Sequence, residues 1–330
     1  MMCGFGHGVG MALWTQICAV ALAFQISPDG PLELAPRARP EAMRPATGAQ
    51  PTLRVNASLV LIPVHVTTAN GATVTNLKKE DFVLSEDGVR QTITHFAKDD
   101  APVSAGVLLD ISGSMKNKMG KASEAAEEFF KFANPEDEFF LVEFNERARL
   151  KVPFTEDWSE ICGQIRQAKA SGLTALLDAI HLGVAQMKHA RNARKALVIL
   201  SDGGDNFSRR NMRQLTETLI ESDVQVYAMG VYDEDYRFKH TPEERNGPKL
   251  LDEVALDTGG RDFPLTSLDN LPNVGVQIAR ELRNQYILGY SPAATTPDGK
   301  FHRVSLKVEA PDSEAGLRTF YRRGYYAPAQ

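Results

Sequence analysis

Over residues 102–283, apolar runs of strand length alternate with stretches of helical period, and few architectures accept that order. Ala105-Gly106-Val107-Leu108-Leu109 is apolar without a break, as expected of a strand covered on both faces, and residues 195–200 read the same way. Residues 120–132 place Ala122, Ala125, Ala126, Phe129 and Phe130 at helical spacing, and helices are also expected over 158–168, 175–189, 212–221, 249–258 and 271–283. A hairpin is expected from 138–144 and 148–152, and a further strand over 224–231. This alternation predicts an α/β domain with a doubly wound, mostly parallel sheet, in which ligands bind beyond the carboxyl ends of the strands.

The flanks follow a different grammar. Residues 53–68 alternate as a strand, and Asp87-Gly88 marks a tight turn between Phe82-Val83-Leu84 and Thr92-Ile93-Thr94. Strand pattern returns over 286–290, over 301–308 after the turn at Asp298-Gly299, and over 317–322. Neither flank has enough strands to stand alone, so the two are expected to pair into a small β-sandwich with the α/β domain inserted between them. The expected organisation is a signal peptide over 1–26, a linker over 27–52, a β unit over 53–100, the α/β domain over 101–284 and a β segment over 285–330.

The linker carries Pro28, Pro31, Pro36, Pro40, Pro45 and Pro51, a composition of extended chain and not of a packed element. Before it, the apolar stretch 11–24 is too short for a stable membrane span, and Ala21-Leu22-Ala23 has the small-x-small form of a cleavage site. The first ten residues lack the usual Lys or Arg, yet the segment points to a secreted, periplasmic or cell-surface protein. Lys and Arg number 37 against 42 Asp and Glu, a net charge of -5 that excludes a general attraction to nucleic acid. The 3 cysteines build no disulfide framework, and Cys162, within a helix, is expected to be a small buried apolar residue.

Asp110-Ile111-Ser112-Gly113-Ser114 ends the first buried run, Thr174 follows Ser171-Gly172-Leu173 just before a helix, and Asp202-Gly203-Gly204 ends the second run. In a strand, alternate residues lie about 6–7 Å apart, so Asp110, Ser112 and Ser114 can converge on one ion only if the chain turns there. Oxygen donors without His or Cys select a hard divalent cation, Mg²⁺ first, with Mn²⁺ or Ca²⁺ as alternatives. Mg²⁺ takes six oxygens at about 2.1 Å, so Asp110, Ser112, Ser114, Thr174 and Asp202 leave room for an outside ligand. A lone D-x-S-x-S is more often a helix-capping turn; its combination with the distant Thr and Asp argues for metal. Asp205 and Asn206 fall at the rim of the site or on a solvated loop. No His, Cys or Lys is expected beside the motif as acid or nucleophile, which disfavours a metal-dependent hydrolase using Asp110 or Asp202 as base. A purely structural metal in an envelope assembly is the third reading.

These five residues, and the order of elements over about 103–283, resemble the metal-ion-dependent adhesion site of von Willebrand factor A domains, also called integrin I domains. Asp81-Phe82 with Glu86-Asp87-Gly88, Tyr286-Ile287-Leu288-Gly289-Tyr290 and Arg323-Gly324-Tyr325-Tyr326 are similar to the acidobacterial type of such proteins. The resemblance implies a non-enzymatic binding module whose metal engages an acidic group of a protein partner, in an oligomeric state that stays open.

Overall fold

The computed structural model describes residues 59–232, 245–265, 267–292, 298–309 and 316–327. The expected signal segment, the linker and the first residues of the N-terminal strand lie outside them. Among the described residues, no helix is long and apolar enough to cross a membrane.

The chain opens with strand β1 (Val60–Thr67), then β2 (Phe82–Glu86), the two-residue β3 (Val89–Arg90) and β4 (His95–Asp99). The α/β part follows with β5 (Val103–Asp110), α1 (Met119–Phe130), β6 (Glu138–Phe144), β7 (Ala148–Thr155), α2 (Trp158–Gln167), α3 (Leu176–Gln186) and β8 (Arg194–Ser201). It continues through α4 (Met212–Ser222), β9 (Val224–Val231), α5 (Gly247–Asp257), β10 (Arg261–Leu265) and α6 (Leu271–Arg283). Strands β11 (Gln285–Tyr290), β12 (Phe301–Val308), β13 (Arg318–Tyr321) and β14 (Gly324–Tyr326) close the chain.

The central sheet has six strands in the order β10-β9-β8-β5-β6-β7, all parallel except β7. Every residue of β5 is buried, which is why its sequence shows no polar alternation. Along that strand Ala105, Val107 and Leu109 face the layer of α1, α2 and α6 with Phe130, Ile161 and Ile278. Leu108 faces the layer of α3, α4 and α5 with Ile180, Leu215 and Leu251. From β5 the chain moves outward through β6 and β7, then returns to the other side of β5 for β8, β9 and β10. The order therefore reverses between β5 and β8, and the crevice at their carboxyl ends is the expected place for a ligand.

The flanks do pair. One antiparallel sheet runs β13-β1-β11-β4 and the other β14-β12-β2-β3, so each mixes strands from both ends of the chain. Ile62, Val64, Leu84, Tyr286, Leu288, Val304 and Leu306 fill one core between them. Asp87 (φ 49°) and Gly88 (φ 82°) make the β2–β3 turn, whose two left-handed positions suit Asp-Gly. The expected hairpin partner at Thr92-Ile93-Thr94 is not a strand: Ile93 plugs the sandwich core, and the chain crosses to the other sheet as β4 to pair with β11. The sequence pattern does not predict strand β10, because Arg261, Asp262 and Pro264 break the apolar run; it is an edge strand, where proline is tolerated.

Helix α6 runs directly into β11 and is joined to β1 through buried polar groups. Arg261 Nη1 lies 2.8 Å from Glu281 Oε1, and His65 Nδ1 lies 3.3 Å from the Asn284 carbonyl. His65 Nε2 is 3.7 Å from Glu281 Oε1, too far for a hydrogen bond, and burial lowers its pKa from 6.5 to about 4. The ring is therefore neutral, and this contact is not an ion pair. Below pH 6.5 the unfolded chain binds a proton that the folded one refuses, so this site's contribution to stability is complete above pH 6.5 and lost as pH falls toward 4. Relative to His65→Gln, wild type should lose about 3 kcal/mol of stability between pH 7 and pH 4. Parallel pH curves in urea denaturation would refute it.

Candidate metal centre

Strands β5 and β8 run parallel with Leu109 opposite Leu200, so the residues that follow emerge at the same edge of the sheet. Asp110 ends β5 and Asp202 follows the last residue of β8; both are 0% exposed. Two carboxylates buried at one edge repel each other and lose hydration, and this pushes the Asp110 carboxyl up to about 7, with burial the larger cause and the charge of Asp202 the next. Hydrogen bonds to Asp110 oppose the shift: Ser112 N–H donates to Oδ1 at 2.8 Å and the Ser201 hydroxyl to Oδ2 at 2.5 Å. Each carboxylate oxygen keeps a lone pair beyond these bonds.

The chain turns at once after β5. The Ser112 N–H closes back on Asp110, Gly113–Met115 forms one 3-10 turn, and the Ser112 and Ser114 hydroxyl oxygens come within 3.1 Å of each other. The loop bearing Thr174 lies against this turn: Ser171 N–H donates to the Ile111 carbonyl at 2.8 Å and Gly113 N–H to the Gly172 carbonyl at 2.9 Å. The loop after β8 holds Thr174 from the other side. Asn206 Oδ1 accepts the Thr174 N–H at 2.9 Å, and the Thr174 carbonyl accepts from Asn206 and Phe207 N–H at 3.1 and 3.0 Å. Asp205 Oδ1 accepts from Leu176 N–H, at the start of α3, at 3.0 Å and from the Ser208 hydroxyl at 2.6 Å. Asp205 and Asn206 thus brace the site. Gly203 adopts φ 77° with the Gly247 carbonyl pressed against it, where a Cβ would come within 2.6 Å of that oxygen; only glycine lets this loop pass.

The donors fit a hard cation. They comprise two buried carboxylates and a close pair of hydroxyls, with Thr174 itself 5% exposed and its loop bound to both neighbours. A divalent ion held there would supply positive charge to the two acids and an electrophilic position for an oxygen ligand.

The absence of lysine expected beside the motif is corrected. Lys118 Nζ lies 3.2 Å from Asp202 Oδ2 and 3.1 Å from the Val231 carbonyl, and the side chain is 1% exposed. Its position, one turn past Ser114, carries no sequence signal, because a lysine in such a place is ordinarily solvated. As a buried ammonium bonded to a carboxylate and a carbonyl, it is a clamp on Asp202 and β9, not a nucleophile. Ser201, just before Asp202, carries no such signal in the sequence either, because its bond to Asp110 depends on the parallel register of β5 and β8. Cys162 is buried in α2, and burial pushes its thiol up to about 11, so it is inert.

Ser201→Ala leaves a buried Asp110 oxygen without its donor and Gly203 N–H without its acceptor. The variant should be less stable by about 1–3 kcal/mol in urea denaturation. A change within measurement error would show that the carboxylate does not rely on this bond.

Residues 107–204 match the family model described as von Willebrand factor type A domain. Among curated proteins none matches the chain. Solved structures similar to it include a von Willebrand factor type A protein from Catenulispora acidiphila, at 14% identity and TM-score 0.48, covering 84% of this chain and 75% of that one. An aerotolerance-related membrane protein from Bacteroides fragilis gives 19% identity and TM-score 0.45 over 55% of this chain and 98% of that one. The PilB minor pilin from Streptococcus sanguinis gives 13% identity and TM-score 0.42, over 56% of this chain and 62% of that one. The likeness to a von Willebrand factor type A domain thus covers residues 107–204, from within β5 to the loop after β8.

Proposed function

We propose that the chain is a binding module which uses a divalent cation, held by Asp110, Ser112, Ser114, Thr174 and Asp202, to engage a carboxylate on a protein partner. The observation that carries this reading is the burial of Asp110 and Asp202 at one sheet edge beside the Ser112–Ser114 hydroxyl pair. Lys118 takes one oxygen of Asp202, which leaves hydroxyls and Asp110 for direct contact and keeps the metal electrophilic. Leu173 and Phe207, on the loops that grip Thr174, are 45% and 46% exposed and give a rim suited to a protein surface.

The likeness of the flanking motifs to the acidobacterial type, and the apolar segment 11–24, support a secreted or surface-exposed protein. Hydrolysis is disfavoured because the lysine at the site is bound to Asp202 and Val231, and Asp110 is needed for the cage.

Mg²⁺ or Mn²⁺ should raise the melting temperature of the wild type, and Asp110→Ala or Ser112→Ala should remove the increment; equal increments would reject the metal assignment. With Mn²⁺ bound, an acidic peptide should lower the enhanced relaxation of water protons by displacing metal-bound water, whereas its Asn/Gln counterpart should not. Equal behaviour of the two peptides would reject a carboxylate guest while leaving metal binding intact.

A further inference from the structure

A second cluster of metal-ligating side chains lies in the β-sandwich, built from the β2–β3 turn and the start of β12. Glu86, Asp87 and His302 each bring one ligand atom within 4.8 Å of the others. His302 Nδ1 is 2.8 Å from Asp87 Oδ2 and 4.0 Å from Glu86 Oε1. On the far side of the ring, Nε2 is 3.3 Å from Asp298 Oδ1.

Glu86 is the informative member. It is 5% exposed, and its Oε2 accepts the hydroxyls of Tyr290 at 2.5 Å and Tyr325 at 3.0 Å. Among the described residues no hydrogen-bond donor reaches its Oε1, which faces His302 at 4.0 Å. The two tyrosines pair one oxygen of this carboxylate, while the other, too far from the imidazole for a hydrogen bond, keeps its lone pairs for a ligand. The turn is also held in place: Arg303 N–H donates to Asp87 Oδ1 at 2.9 Å and Asp87 N–H to the Arg303 carbonyl at 2.9 Å. His302 stacks on Tyr325 with ring centroids 5.6 Å apart.

We propose that Glu86, Asp87 and His302 form a binding site for a divalent transition cation, zinc first, with Asp298 orienting the imidazole. One imidazole nitrogen with carboxylate oxygens suits zinc better than magnesium, which separates this site from the all-oxygen cage at β5 and β8. Zinc bonds of about 2.0–2.1 Å place tetrahedral ligand atoms about 3.3 Å apart, so the 2.8 Å between His302 Nδ1 and Asp87 Oδ2 would widen and the 4.0 Å to Glu86 Oε1 would close. His302 Nδ1 faces the two acids while Nε2–H donates to Asp298, the carboxylate–histidine–metal arrangement that sets tautomer and ring angle. The ion would tie the β2–β3 turn to β12 and, through Tyr325, to β14.

Zinc titrated calorimetrically into the full chain under excess Mg²⁺ should show one site and raise the melting temperature. His302→Gln should weaken zinc by at least about tenfold, and Asp298→Asn by about tenfold as a positioning residue. Asp110→Ala should leave zinc affinity unchanged, which separates this site from the proposed magnesium site. Cobalt in place of zinc should give a visible absorption band that His302→Gln removes; circular dichroism of the metal-free variants shows that they fold. Zinc affinity unaffected by His302→Gln would overturn the proposal, as would a folded wild type that takes up no zinc, in which case His302 only pairs with Asp87 and Asp298.

Discussion

The parallel pairing of β5 with β8 sets the chemistry of the molecule, because it brings two acids together without water. Leu109 opposite Leu200 means that Asp110 and Asp202 leave the sheet at one level and on one edge. Helical layers cover both faces of the sheet, so neither carboxylate reaches solvent. The described surroundings answer this charge through Lys118, Ser201 and the Ser112 amide. Loops from three separate crossings are bonded to one another at this edge, chiefly through backbone groups and the Asn206 amide, with the Glu146 and Lys118 side chains adding to the hold.

The sandwich is more than a tether. Strand β11 is the continuation of α6, and β1, which pairs with β11, contributes His65 to the buried group around Glu281 and Arg261. A shift of α6 would be felt in the β1–β11 pair, since Glu281 sits on one and His65 on the other. Glu281 is itself pushed up to about 7, chiefly by burial, despite the Arg261 guanidinium beside it. The sandwich also has its own polar cluster around Glu86, chemically unlike the one at the sheet switch: an imidazole is among the candidate ligands of the first, whereas those of the second are all oxygens.

Much of the fold was legible because burial on both faces removes polar residues from a strand. Residues 195–200, 224–231 and 271–283 announced their elements within a residue or two of the observed ends. The signal failed where an element is marginal. Strand β10 carries two charges and a proline and is admitted by its edge position. Thr92-Ile93-Thr94 has strand-forming residues, yet its Ile93 is needed in the core and the pairing passes to β4, whose partner β11 is distant in the chain. Of the candidate site, Asp110, Ser112, Ser114 and Asp202 stand out in the sequence because they lie in the turns that end buried strands, and Thr174 because it lies in the loop just before α3. Lys118 does not, because a lysine one turn into a loop and helix looks solvated until the sheet closes over it.

The amino-acid order alone determined most of the segments that form strands and helices, that the sheet is doubly wound, and which side chains end its two central strands, because periodicity and turn residues are local properties. Only the tertiary structure decided who meets whom: Ser201 with Asp110, Lys118 with Asp202, Asn206 with Thr174, and Glu86 with His302. Those contacts join residues far apart in the chain, and their cost or benefit comes from the loss of water on burial, which no local pattern records.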